Sequence, residues 1–329
     1  MRPRILILVA LLAIILGFAF VRAAGADGGG RGEDVVVEGA QLWTTILDRV
    51  VGVDGVTGQR VVSVATGSYG TQVAAGEGLV WQLQPWKLTV IDPSLRRVRM
   101  RVPLLHATYT LATGYGAVWL PSFAEDTLRK VDGRDGKRRW ETHVAHSPQA
   151  VTVGAGSVWV ASIGRWHKGR GGVVVTDGPG IVSRIDPETG TVVAEIAVGS
   201  DASAIAVDAG SVWVLSGRNQ HSANILDRID PRTNRVVATI RVPHWTAAVT
   251  VGSRYVWVVS EPRSDGGVVT RINPSSDRAV SRKIPHSWIP AAVAVVGKRV
   301  WIADPGVAQL VGLDAQTLRV SKRVDLPVG

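Results

Sequence analysis

The side chains best suited to chemistry in this chain are its seven histidines, and their spacing is not random. His106, His146 and His244 each stand 13 residues before a Trp, namely Trp119, Trp159 and Trp257, and His286 follows Pro285 as His244 follows Pro243. Neutral imidazoles bind Zn, Cu, Fe or Ni, and an imidazole beside a carboxylate works as an acid or a base. His106, His146, His244 and His286 are therefore the candidate metal ligands, and His244, Glu261 and His286 the candidate acid–base groups. Trp245 and Trp288 lie beside two of these histidines, Trp86, Trp166 and His167 lie in loops of variable length, and Asp201 lies in the neighbouring repeat that lacks a His. With the four histidines, Trp245, Trp288, Asp201, Trp166 and His167 form a candidate ligand-binding set, which would stack on a ring and hydrogen-bond its edge. The plainer reading is loop residues that are solvated or packed on a neighbouring loop. The chain has no Cys, which excludes thiolate metal sites, disulfides and a lipid-bearing cysteine.

These residues must be positioned by a repeat. An aliphatic residue precedes Trp at Leu42-Trp43, Val80-Trp81, Val118-Trp119, Val158-Trp159, Val212-Trp213, Val256-Trp257 and Val300-Trp301, seven copies in all. Asp54, Asp92, Asp132, Asp186 and Asp230 each precede the next Trp by 27 residues and Asn273 by 28, with Asp314 after the last Trp. The distance from a Trp to its own following Asp or Asn varies instead from 11 to 27, so insertions are confined to one loop per repeat. Blade four shows four short strand patterns, Ala150–Val153, Ser157–Ala161, Val182–Asp186 and Val192–Val198. Repeats of about 40 residues with four strands each predict an all-β fold, a seven-bladed β-propeller of four antiparallel strands per blade.

The predicted blades span about 34–68, 69–106, 107–146, 147–200, 201–244, 245–288 and 289–329. Each starts with its innermost strand and ends with its outermost, so the ring is expected to close by side-chain packing between blades one and seven. The repeated Trp are read as core, and Asp-Pro-Glu-Thr-Gly (186–190) and its counterparts as turns. In an up-and-down blade, the loop between strands two and three shares an end with the connection into strand one. The variable loops and most of the histidines thus fall on one face, at the mouth of the central channel. The longest insertion, Ile163 to Gly180, is expected to be either a lid or a mobile surface loop.

Residues 1–26 carry Arg2 and Arg4, an apolar run from Ile5 to Val21, and Ala24-Gly25-Ala26. This is the pattern of an export signal, or of an N-terminal membrane anchor if it is not cleaved. Residues 27–33 read as a flexible linker. An extracytoplasmic location follows, with nucleic acid excluded as a partner and the membrane met only through the N-terminal segment. The net charge of +10 falls to +7 without the three arginines of the leader. Arg97, Arg99 and Arg101 alternate along a last strand, where charge blocks edge-to-edge aggregation or attracts an anionic cell envelope.

Gly-x-Gly-Ser-Val-Trp-Val (154–160) and Ile-Asp-Pro-x-Thr-Gly-x-Val-Val-x-x-Ile-x-Val-Gly (185–199) give the chain a resemblance to a known superfamily. It resembles the bacterial propellers that include the streptogramin lyases (virginiamycin B lyase-like) and exported proteins with surface-layer-type repeats. The resemblance runs from about Asp34 to the end of the chain. It implies the seven-bladed fold and, if it extends to activity, a magnesium ion and elimination from a cyclic depsipeptide through His and Glu residues. The motifs that carry it are structural, and no catalytic position is matched residue by residue. The leading expectation is a monomeric binding or interaction module for a small molecule, a peptide or a cell-envelope component. The alternative is a metal-dependent lyase or hydrolase.

Overall fold

β-Branched residues dominate the runs between Gly, Pro, Asp and Asn turns, and such side chains favour a pleated strand. The computed structural model describes residues 35–326 apart from 85, 105–107, 169–173, 209, 218–223, 261–265, 285–289 and 305–307. Among the described residues the chain forms seven four-stranded antiparallel sheets, each hydrogen-bonded in chain order, and one two-stranded ribbon. No helix occurs among them. Blade four is built from Pro148–Gly154, Ser157–Ser162, Gly180–Ile185 and Val192–Val198. Its strands match the sequence reading to within two residues at each end. The first strand of blade one, Val35–Glu38, packs against the first strands of blades two (Gln72–Gly76) and seven (Ala292–Val296). First strands therefore line the axis and last strands form the rim.

The core lies between blades rather than inside any of them. Seven apolar clusters bridge the seven pairs of adjacent blades, and each contains one repeated Trp. All seven indoles are at most 2% exposed. Burying one removes about 150–250 Å² from water, about 4–6 kcal/mol of gross transfer free energy. The seam between blades seven and one is of the same kind: Trp301, Ala294 and Leu310 pack on Leu42, Val51 and Val53. Among the described residues no strand is exchanged there, and the two blades meet through side-chain packing.

A cation reinforces five of the seams. In blades three to six the residue paired with Trp across strands two and three is Lys130, Arg184, Arg228 or Arg271. Lys130, Arg184 and Arg228 lie 5.4, 5.0 and 5.5 Å from the centroids of Trp119, Trp159 and Trp213, while Arg271 lies 4.8 Å from Tyr255. Each then donates to a carbonyl in the next blade's turn: Lys130 to Pro187, Arg184 to Pro231, Arg228 to Pro274 and Arg271 to Gln316, at 2.6 to 2.7 Å. Blade seven has Gly312 at this position, and Arg299 from the neighbouring strand fills the space, 5.3 Å over Trp301 and 2.7 Å from the Val56 carbonyl. Blades one and two have Gly52 and Val90 instead.

The turn between strands three and four is closed by the recurrent Asp or Asn. Asp54 Oδ1 accepts from the Val56 and Thr57 amides at 3.0 and 2.6 Å, and Asp314 Oδ1 from Gln316 and Thr317 at 3.1 and 2.7 Å. Asp92, Asp132, Asp186, Asp230 and Asn273 do the same. These bonds hold the carboxyls of Asp54, Asp132, Asp186, Asp230 and Asp314 below the usual carboxylate range, chiefly through the turn amides, and that of Asp92 chiefly through the Ser94 hydroxyl. A lowered folded-state pKa means that the unfolded chain binds protons first. The six turns therefore stabilise the fold fully above an unfolded pKa of about 4, and lose that contribution as pH falls through the lower folded values. Thermal unfolding across pH 2 to 7 should show this acid limb. It should be shallower in Asp54→Asn/Asp314→Asn, because Asn keeps the turn, as Asn273 does, without the titration. An unchanged acid limb would refute the linkage.

Candidate functional site

Strands two and three are joined, and successive blades connected, at the mouth of the channel. Asp126, in the loop before strand three of blade three (Thr127–Asp132), reaches the connection into blade four. Its Oδ2 lies 2.6 Å from His146 Nδ1, and its Oδ1 accepts the Ser147 amide at 2.7 Å. A carboxylate at that distance places the proton on Nδ1, so neutral His146 presents Nε2 outward as an acceptor or base. The His146 side chain is 56% exposed.

The insertion of blade four is neither unstructured nor a free lid in its described part. Trp166–Lys168 pairs antiparallel with Val174–Thr176 as a ribbon. His167 Nδ1 lies 2.9 and 3.0 Å from the two oxygens of Asp177. Trp166 Nε1 donates to Ser147 Oγ at 3.0 Å, tying the ribbon to the residue next to His146. That hydroxyl is thereby engaged with the ribbon and forms no hydrogen bond to the His146 ring, so the group is not a Ser-His-Asp triad.

The mouth of blades five and six carries the opposite polarity. The Asn224 amide nitrogen lies 3.3 Å from His244 Nδ1, and Asn224 Oδ1 accepts from the Thr246 hydroxyl at 3.1 Å. An amide N–H facing Nδ1 makes that nitrogen the acceptor and puts the proton on Nε2. His244 is exposed and so offers an N–H where His146 offers a lone pair. Ser147, Asp201 and Trp245 occupy equivalent positions in blades four, five and six, and all three adopt left-handed backbone (φ 60, 60 and 62°) as the chain turns into the first strand. Side chains other than Gly are uncommon there, and the conformation costs about 1 kcal/mol or more. Trp86 is 49% exposed in the loop between strands two and three of blade two.

His146, Trp166, His167, Asp201, His244 and Trp245 all lie in the connections and inter-strand insertions at this end. His106, Glu261, His286 and Trp288 lie outside the described residues, as does His221. Among the described residues no three His, Asp or Glu side chains group closely enough to hold a metal ion, and the predicted four-His set cannot be assembled from them because only His146 and His244 are described. A shallow depression of about 370 Å³ lies elsewhere, on the outer edge of blade three, lined by Thr127 and residues 138–143.

Sequence reading missed a second set. Three residues beyond six of the seven repeated Trp, at the mouth end of strand two, stand Gln84, Ser122, Ser162, Ser216, Ser260 and Asp304, all at most 2% exposed. Among the described residues the Ser122, Ser216 and Ser260 hydroxyls have no hydrogen-bond partner. Buried hydroxyls of this kind are seats for ordered water, here just beneath the mouth. The signal was a polar residue at a fixed offset from Trp in six of the seven otherwise apolar strands.

No protein-family model matches the chain, and no curated protein matches it in sequence. Solved structures match its shape. The chain is similar to the WD40 domain of Pan2 from Neurospora crassa, with a TM-score of 0.65 and 11% identity over 84% of this chain and 87% of that one. It is similar to a chain of hydrazine synthase from Kuenenia stuttgartiensis, with a TM-score of 0.70 and 11% identity over 89% and 97%. It is also similar to the computationally designed protein Ika8, with a TM-score of 0.62 and 14% identity over 92% and 90%. At these identities the likeness establishes the fold: this chain is a β-propeller.

Proposed function

We propose that the chain is an exported binding or interaction module whose contact surface is the channel-mouth face. The observation that supports this most is the contrast between the two ends of the ring. At the far end the polar groups close on themselves in Asp turns and blade-to-blade latches. At the mouth, His146 and His244 are exposed, held by Asp126 and Asn224, and oriented with complementary hydrogen-bonding character, with Trp166 fixed beside the first. Such a surface recognises a flat or ring-bearing group with both donor and acceptor edges, on a small molecule, a peptide or a cell-envelope fragment.

Residues 27–329 should be screened by thermal shift against soluble cell-wall glycopeptide fragments, short peptides and aromatic small molecules. A ligand at 100 times its Kd raises stability by about 2.7 kcal/mol. The expected hit loses its shift in His146→Ala and in Trp166→Ala, and keeps it in Thr233→Ala at the far end. A hit whose shift is lost only in Thr233→Ala would place the contact surface on the wrong end. Export is read separately: alkaline phosphatase fused after residue 33 should be active in intact cells, and an inactive fusion would overturn that part.

A further inference from the structure

The rim carries a second surface, independent of the channel mouth. The last strands of blades six, seven, one and two are neighbours around the ring: Arg278–Lys283, Val320–Asp325, Arg60–Ala65 and Arg97–Pro103. Together they hold nine Lys or Arg residues and one acid, Asp325, which accepts from Gln309 Nε2 at 2.7 Å. Every residue of Arg278–Lys283 is exposed, and Arg97, Arg99 and Arg101 alternate outward from their strand. Arg60, Arg99, Arg278 and Lys322 form no ion pair among the described residues. Blade three shows what neutralised rim cations look like: Arg138 lies 3.1 Å from Glu141, and Arg139 lies 2.9 and 3.0 Å from Asp132 and Asp135.

The bland reading is protection of exposed sheet edges, and the distribution argues against it. Every blade presents an outer edge, yet Val192–Val198 of blade four holds no cation, one Glu and a Val193 that is 51% exposed. Edge protection would be needed there as much as anywhere. Blade five, next to blade six, adds Arg235 and Arg241 with no acid on Arg235–Arg241, so the cation-rich, acid-poor last strands form one contiguous arc from blade five through six, seven and one to two. That arc is convex and takes in five of the seven blades, so a flat bilayer would meet it only tangentially, over one or two blades. A flexible chain can follow it.

We infer that this arc binds a flexible linear polyanion bearing regularly spaced phosphate groups, laid along the outer strands of blades five, six, seven, one and two. The test uses residues 27–329 and long-chain inorganic polyphosphate, with binding followed by fluorescence anisotropy at low and moderate salt. Arg99→Glu/Arg278→Glu/Lys322→Glu should weaken binding at least 10-fold, and Arg138→Glu on the paired rim of blade three less than 3-fold. Binding should weaken steeply with salt, and tripolyphosphate should bind at least 100-fold more weakly than the long chain. If the triple variant unfolds, Arg99→Gln and Lys322→Gln, which remove charge without reversing it, should each weaken binding about 2- to 3-fold. The inference fails if anionic-lipid vesicles bind and the phosphate chain does not. It fails also if single-stranded oligodeoxythymidylate of equal charge binds 10-fold tighter than polyphosphate, or if rim variants of blades two, six and seven match wild type. None of these outcomes depends on the channel-mouth face, which the His146 and Trp166 variants report.

Discussion

Trp301→Ala is expected to remove about 3–5 kcal/mol of stability, read as a drop in the urea midpoint at unchanged slope. Among the described residues no strand is exchanged at the seam between blades seven and one, and Trp301 is its largest buried side chain. The indole also donates from Nε1 to the Gly55 carbonyl at 3.0 Å and supports Arg299, which bonds to Val56. A conservative pair separates packing from hydrogen bonding. Trp301→Phe strips Gly55 of a donor and should cost about 1–2 kcal/mol beyond lost packing. Trp43 Nε1 is buried with no partner among the described residues, so Trp43→Phe removes an unsatisfied donor and should cost less. Equal losses at the two positions would show that the bond to Gly55 contributes nothing.

Arg228→Ala is expected to cost about 2–3 kcal/mol, because one side chain supplies a cation–π contact and charge-assisted hydrogen bonds across a seam. Its guanidinium lies over Trp213, its Nε donates to Ser211 Oγ at 3.0 Å, and its Nη1 donates to the Pro274 carbonyl at 2.7 Å with Asp277 at 3.5 Å. Arg228→Lys should recover more than half of the loss, since Lys130 makes both the aromatic and the carbonyl contact in blade three. Differential scanning calorimetry of both variants checks this. Identical Tm values for Arg228→Lys and Arg228→Ala would mean that the latch is not a unit.

What could be read directly from the sequence was whatever depends on near neighbours. Trp at a fixed place in a strand, Asp before Pro at a turn and a constant 27-residue interval each report a local geometry repeated seven times. The latches were harder to see. Lys130, Arg184, Arg228 and Arg271 stand two residues before the turn Asp or Asn, where a cation on a half-buried strand reads as solvated. Only the register that sets them opposite a Trp or next to Tyr255 reveals the contact. The same limit held at the mouth. Spacing grouped His146 with His244, but the nitrogen that each presents is set by Asp126 and Asn224, which come from loops 20 residues away in sequence. The ribbon of blade four also escaped notice, because the Gly-rich sequence 169–172 between its two strands reads as punctuation.

The claim that the mouth is the contact surface is tested most directly by position-specific crosslinking in living cells. Benzoylphenylalanine in place of Trp86 exchanges one exposed aromatic for another at the mouth, and in place of Thr233 it samples a far-end turn. Irradiation should give a discrete crosslinked species from position 86 that disappears in a His146→Ala/Trp166→Ala background, and none from position 233. A discrete species from position 233 with none from position 86 would contradict the account.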